Sequence, residues 1–299
     1  MLGPWSAARL ARMLRPLPPR GTTHVLGVLN LTPDSFSDGG RFVSGDAGRE
    51  CVDVDAALAH AARLVADGAA VLDVGAVSTR PGSVAPKPEV EWARLEPVLR
   101  HLRGAVPVPL SLDTSRASIL RRALELDAVD LLNDVSALAD DPELAGVAAS
   151  AGLPVILMHR RGTPATMQQA PRYEDAPHEV RLELREAVAR AVLAGIPPER
   201  LLLDPGLGFG KRVQDNVALL AALPDLVALG FRTVLGASRK SFLGALTGRP
   251  DADRGHATTA CTVLAALAGV DFVRVHDAQA AADALAVVRA VLSAPPAAP

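Results

Sequence analysis

Apolar residues fall into short unbroken runs, separated by longer stretches in which every third or fourth residue is apolar. The runs are His24–Asn30, Ala70–Ala76, Val108–Thr114, Leu131–Val135, Pro154–His159, Leu201–Gly206, Thr233–Ser238 and Phe272–Asp277. A run that is apolar at both parities suits a strand covered on both faces, as in a parallel sheet. The stretches between them predict amphipathic helices: Val54–Ala66, Glu89–Arg103, Arg116–Glu125, Glu143–Ser150, His178–Leu193, Val213–Val227, Thr258–Ala268 and Ala278–Val291. Eight strand–helix units over roughly 270 residues predict a (β/α)₈ TIM barrel. A doubly wound open sheet competes, and the evenness of the eight repeats favours closure. No linker or shift of composition divides residues 24–292, which are therefore expected to form one domain. Residues 1–23 form an extension in which Leu10, Met13, Leu14 and Leu17 have helical spacing, predicting a short helix on the body. Residues 293–299 contain only Ser, Ala and Pro and predict a frayed tail.

Nearly every apolar run closes on a polar group at its C-terminal side. These are Asn30, Asp113, Asn133 with Asp134, His159, Asp204, Ser238 leading into Arg239 and Lys240, and Arg274 with His276 and Asp277. Asn and Asp are common where strands become loops, so one such residue would mean little. In a closed parallel barrel, however, all eight ends face the same way, and the groups converge on one mouth. Three long loops leave that same face: Leu31–Asp53, Val77–Pro88 and Arg160–Pro177. Loops of this length in a compact domain are expected to act as lids.

Composition narrows the function. The 299 residues carry 31 Lys plus Arg against 33 Asp plus Glu, a formal charge of -2. This balance argues against a nucleic-acid partner, which needs a concentrated positive field. With 49% apolar and 21% charged residues, the chain can bury a large core. Its apolar stretches are all broken before the ~20 residues that a spanning helix needs, so no membrane partner is expected. Two cysteines, Cys51 and Cys261, are too few for a disulfide scaffold and fit a reducing, cytoplasmic setting. The N-terminus has four arginines but no apolar core of a secretory signal.

Several motifs carry candidate chemistry. DPGLGFGK (204–211) lacks the spacing of a Walker phosphate loop; its glycines permit close approach to a flat ligand. Asp204 at its start is a carboxylate seeking a pair of donors, such as an amino-pyrimidine edge. Asp113 in SLDTS and Asn133 in LLNDV add acceptors and donors suited to a heterocycle. GASRKSFLG (236–244) and RVHD (274–277) place Arg239, Lys240, Arg274 and His276 where this fold often binds phosphate. Strand alternation points Arg274 and His276 the same way. Asn30 offers an oxygen to a hard cation such as Mg²⁺, which keeps waters and substrate phosphates as further ligands. His159 could be a ligand, an acid/base group or a hydrogen-bonded structural histidine.

In order along the chain, GVLNLTPDSFSDGG, DVGAVSTRPGS, SLDTS, LLNDVS, ILMHRRGTPATMQ, LLLDPGLGFGK, VLGASRKSFLG and RVHDA resemble the dihydropteroate synthase family. The resemblance extends from about Val25 to Val291. It implies a barrel, usually dimeric, that joins 4-aminobenzoate to 6-hydroxymethyl-7,8-dihydropterin diphosphate with release of diphosphate. Residue by residue, it places Asp113, Asn133, Asp204 and Lys240 on the pterin. It places Asn30, Arg274 and His276 on the diphosphate, with Asn30 on Mg²⁺, and puts Thr79, Arg80 and Ser238 around 4-aminobenzoate and diphosphate. Phe209 and Val275 join the substrate-binding set, and Lys240, Arg274 and His276 are the expected catalytic residues. The implied chemistry is a largely dissociative displacement without a covalent intermediate. One departure stands out: the family's usual GGESTRPG is GAVSTRPG here, with Ala76 and Val77 for Gly and Glu. The alternatives are a methyltetrahydrofolate-type methyltransferase domain, which needs no diphosphate site, and a pterin-binding paralogue with little or no activity.

Overall fold

The structure, a computed structural model, describes residues 15–32, 43–44, 51–80, 82–249 and 254–294. Eight parallel strands close into a barrel. They are β1 (His24–Asn30), β2 (Ala69–Gly75), β3 (Leu110–Asp113), β4 (Leu131–Asp134), β5 (Val155–Met158), β6 (Leu201–Asp204), β7 (Arg232–Leu235) and β8 (Phe272–Val275). Each pairs in parallel with its sequence neighbour, and His24 opposite Phe272 closes the ring. The expected TIM barrel is the fold found.

The helices are α1 (Val54–Ala66), α2 (Pro88–Ala105), α3 (Ala117–Glu125), α4 (Leu144–Ala151), α5 (Ala176–Leu193), α6 (Val213–Ala221), α7 (Leu223–Val227), α8 (Ser241–Thr247), α9 (Gly255–Leu267) and α10 (Ala278–Leu292). Carboxylates start three of them: Asp53, Asp175 and Asp277 accept from the amides of Ala56, His178 and Ala280. The helix expected over Val213–Val227 breaks at Ala222. Pro224 cannot donate within a continuing helix, but it fits the first turn of a new one. Helix α8, inside the GASRKSFLG region, was not among the expected elements.

Strand parity explains the unbroken apolar runs. One parity, including Val25, Leu29, Leu72, Leu112, Leu132, Leu203, Leu235 and Val273, packs outward against the helices. The other parity fills the barrel with a separate cluster: Leu26, Val71, Leu131, Ile156, Leu202, Val234 and Phe272. Leu17 packs against this inner layer from the N-terminal side.

Residues 15–23 contain no helix, which corrects the expected N-terminal helix over that part. They run as an extended strap under the barrel. Arg15 donates from its backbone to Asp130 (2.7 Å) and through its guanidinium to the carbonyls of Val106, Val108 and Arg103. Those fixed acceptors, with Leu17 in the apolar layer, reward an extended path more than a helix would. Residues 1–14, most of the first long loop and the tail after 294 lie outside the described residues. Of the first loop, Val43–Ser44 pairs antiparallel with Cys51–Val52.

Candidate active site

Two residues beyond the apolar inner layer, the same inward parity turns polar. The positions are Asp73, Ser111, Asn133, Asp204 and Arg274, with Val28 and Met158 as apolar members. One step further toward the C-terminal ends come Asn30, Gly75, Asp113, Val135, Ser238 and His276. The expected convergence thus follows from a period of two imposed on a closed ring. Gly236 keeps the polar layer open, where a Cβ would lie 3.5 Å from Asp204 Oδ2, and Gly75 does so one step above, where a Cβ would lie 3.1 Å from that of Asp113.

Asp73, which sequence reasoning did not single out, is the centre of this layer. Fully buried, it accepts from Ser111 Oγ (2.5 Å) on Oδ1, and from Asn133 Nδ2 (3.0 Å) and Arg274 Nε (2.6 Å) on Oδ2. Arg274 also donates from Nη2 to Asp113 Oδ2 at 2.8 Å. Asp113 and Arg274, assigned separately to pterin and diphosphate, therefore form one ion pair. Burial raises Asp113 to about 7, against the pull of Arg274. Burial likewise raises Asp204 to about 6, although Gly206 N donates to its Oδ1 at 2.7 Å.

A second group lies at the rim. Asn30 Nδ2 stands 3.4 Å from His276 Nε2, and Ser238 Oγ stands 2.9 Å from His276 Nδ1. With Nε2 accepting from Asn30, Nδ1 carries the proton and donates to Ser238. Burial holds His276 well below its ordinary value, reinforced by Arg274, Arg239, Lys240 and Arg80. The imidazole is therefore neutral and surrounded by positive charge, a setting that favours an anion. Thr79 is half-buried and Arg80 exposed on the second loop. Val275, expected at the substrate, has the opposite parity and packs in the outer core, so its side chain does not reach the mouth.

Lys240 Nζ sits 4.0 Å over the Phe209 ring, and burial lowers its ammonium to about 8. Phe209 packs with Val135, Met158 and Met167 in a small apolar wall beside the polar layer. The loop carrying Phe209 is fixed from behind by Lys211, a second residue the sequence reading passed over. Its buried ammonium donates to His159 Nδ1 (2.9 Å), Gly206 O (2.9 Å) and Phe209 O (3.0 Å). Burial lowers Lys211 to about 7 and His159 to about 4. His159 donates from Nε2 to Glu183 Oε2 (3.0 Å), and Arg161 pairs with Oε1 of the same carboxylate. His159 is thus a structural histidine, satisfied at both nitrogens. At Gly206, φ is +65° and a Cβ would lie 1.9 Å from the His159 carbonyl oxygen, so only glycine fits.

The second and fifth loops, expected as lids, are tied together where they are described. Gly82 N donates to Pro164 O (2.9 Å), and Gln168 Nε2 donates to Gly208 O on the sixth loop (2.9 Å). Asp134 organises the fourth loop, accepting from Ser115 Oγ and from the amides of Ser136 and Leu138.

Residues 26–276 match the model of the family described as pterin binding enzyme. A dihydropteroate synthase of Neisseria meningitidis serogroup C is 45% identical over 263 residues, covering 87% of this chain and 90% of that one. The chain belongs to the dihydropteroate synthase family. A Yersinia pestis dihydropteroate synthase solved with a sulfonamide drug superposes with a TM-score of 0.85 at 39% identity, covering 91% of this chain and 95% of that one. A Xanthomonas albilineans dihydropteroate synthase in complex with 7,8-dihydropteroate gives a TM-score of 0.78 at 39% identity, covering 92% and 95%.

Within this family the GAVSTRPG departure is seated without the usual carboxylate. Arg94 donates to the carbonyl of Ala76 (2.8 Å), and Ser83 Oγ contacts the carbonyls of Ser78 and Arg80. No described helix is long and apolar enough to cross a membrane. Among the described residues, no cluster of three or more His, Cys, Asp or Glu could hold a metal ion. With its nitrogen turned to His276, Asn30 leaves Oδ1 for a hard cation whose other ligands are waters and phosphate oxygens.

Proposed function

We propose that this chain is a working dihydropteroate synthase. It condenses 6-hydroxymethyl-7,8-dihydropterin diphosphate with 4-aminobenzoate to give 7,8-dihydropteroate and diphosphate. The observation that carries this reading is the vertical order of the barrel mouth. Asp73, Asn133, Asp204 and Arg274 lie deep, beside an apolar wall, and Asp113, Ser238 and His276 lie one step above them, with Arg239, Lys240 and Arg80 near the imidazole. A flat, donor-rich bicycle fits the first and a diphosphate the second.

Asp113, Asn133 and Asp204 orient the pterin through its ring and amino N–H groups, with Phe209 and Lys240 along its side. Arg274, Ser238 and His276 meet the diphosphate, whose charge favours the imidazolium that burial and cationic neighbours suppress. As the methylene C–O bond breaks, its electron pair leaves with diphosphate, and these donors stabilise the growing anion. The electron-rich ring spreads the positive charge left on the methylene, which the nearby carboxylates favour. The amine nitrogen of 4-aminobenzoate then forms the C–N bond and gives up its proton to water or to the released diphosphate. Thr79 and Arg80 orient that second substrate from the tied second loop. Asn30 Oδ1 would hold Mg²⁺, which supplies further charge neutralisation to the leaving group. No side chain forms a covalent bond to substrate.

The same reading includes a homodimer. Val217 on α6, Leu246 on α8, and Leu264 and Leu267 on α9 expose apolar surface on helices that touch one another; light scattering on the purified chain would measure the mass. Turnover tests the reaction directly. The chain with both substrates and Mg²⁺ should release diphosphate and dihydropteroate in equal amounts, and no product at saturating substrate would refute it.

A further inference from the structure

Asp73 reaches no open surface, yet it contacts two groups to which the proposed reaction gives work. Its Oδ2 takes Asn133 Nδ2 and Arg274 Nε together, while Ser111 Oγ secures Oδ1. A carboxylate only accepts, so it fixes the Asn133 amide with nitrogen toward Asp73 and Oδ1 away from it. It also grips Arg274 at Nε alone, while Nη2 rests on Asp113. An incoming pterin that takes Asp113 Oδ2 competes with Nη2, whereas Nε, held on Asp73 Oδ2, remains as the anchor of the guanidinium.

We propose that Asp73 is a positioning residue with two separable duties in the dihydropteroate synthase reaction. It sets the hydrogen-bonding face that Asn133 shows the pterin, and it tethers Arg274 by charge so that the freed Nη2 turns to the departing diphosphate. The first duty needs only an acceptor at Oδ2. The second needs a negative charge. This assignment rests on the reading given under the proposed function.

The two duties predict different outcomes in two variants of the full chain. Asp73→Asn can keep an oxygen toward Asn133 and Arg274, because Ser111 Oγ is able to accept from the new amide nitrogen. This variant should hold KM for dihydropterin diphosphate within about threefold while kcat falls about tenfold or more. Asp73→Ala removes acceptor and charge together. It should raise KM for the pterin substrate at least about tenfold in addition to the loss in kcat, with KM for 4-aminobenzoate within about twofold. The affinity for 6-hydroxymethylpterin, read by calorimetry without turnover, should follow the pterin KM in both variants.

A wild-type kcat in Asp73→Asn overturns the tether. Parallel losses for both substrates in Asp73→Asn reduce Asp73 to a structural role and overturn the whole assignment. Unchanged pterin affinity in Asp73→Ala overturns the Asn133 duty; if that variant does not fold, the Asp73→Asn split alone decides. Failure of the reaction reading would look different, since the wild-type chain would itself form no dihydropteroate.

Discussion

Replacing Lys211 with Met tests how the pterin wall is held. Methionine fills nearly the same space but leaves His159 Nδ1, Gly206 O and Phe209 O without their donor. Hydrogen bonds from a charged donor contribute about 1.5–3 kcal/mol each. Against them stands the cost of burying the ammonium, itself several kcal/mol, which the variant no longer carries. The expected net loss is therefore about 3–5 kcal/mol, the range seen when one partner of a buried charged network is removed. For a chain of this size that corresponds to a fall in Tm on the order of 6–10 °C. Urea unfolding followed by tryptophan fluorescence, in which buried Trp92 reports, gives the free energy. The functional effect should be selective. Phe209 and the loop under Lys240 lose their support, so KM for the pterin substrate rises while that for 4-aminobenzoate changes little. A stability loss below about 1 kcal/mol together with an unchanged pterin KM would refute Lys211 as the support of this wall.

Four further outcomes follow from the geometry. Burial raises Asp113 to about 7 and Asp204 to about 6, so pterin binding should weaken as pH falls through these values and should release protons near pH 6; calorimetry in buffers of different ionisation enthalpy counts them, and proton uptake would contradict the assignment. The same raised values mean that ionisation of these two groups opposes folding, so their contribution to the stability of the unliganded chain falls as pH climbs from about 3.9 toward 7. Arg274→Ala should lower kcat by about a hundredfold or more, the scale for losing one donor to a developing anion, and near-normal turnover would remove Arg274 from that role. Arg15→Ala removes the three guanidinium bonds beneath the barrel and should cost about 1–3 kcal/mol in denaturation with turnover per folded molecule unchanged.

The ring of strands was legible because both parities of each strand are apolar through the lower barrel. Its ends were less so: Thr114, His159 and Ser238 continue the runs in sequence, yet they already belong to loops. Asp73 was less legible because it lies inside its apolar run and not at the end of it. Parity would have found it, since it stands two positions from inward Val71 and two from inward Gly75. The same count would have turned Val275 away from the substrate, because it lies between Arg274 and His276. Lys211 was harder to read. Lysine is ordinarily solvated, and its burial depends on acceptors supplied by His159 and by a loop folded back through Gly206. Leu17 misled for another reason: its spacing from Leu10, Met13 and Leu14 suits a helix, but what it meets is the inner apolar layer of strands far along the chain.

That strap has a bearing on traffic. With Leu17 and the apolar layer sealing one end, the barrel is a cul-de-sac, and everything that enters must leave by the way it came. In the proposed reaction the pterin, lying deepest, would have to arrive before the substrate that covers it, and the joined product would have to back out past the tied loops.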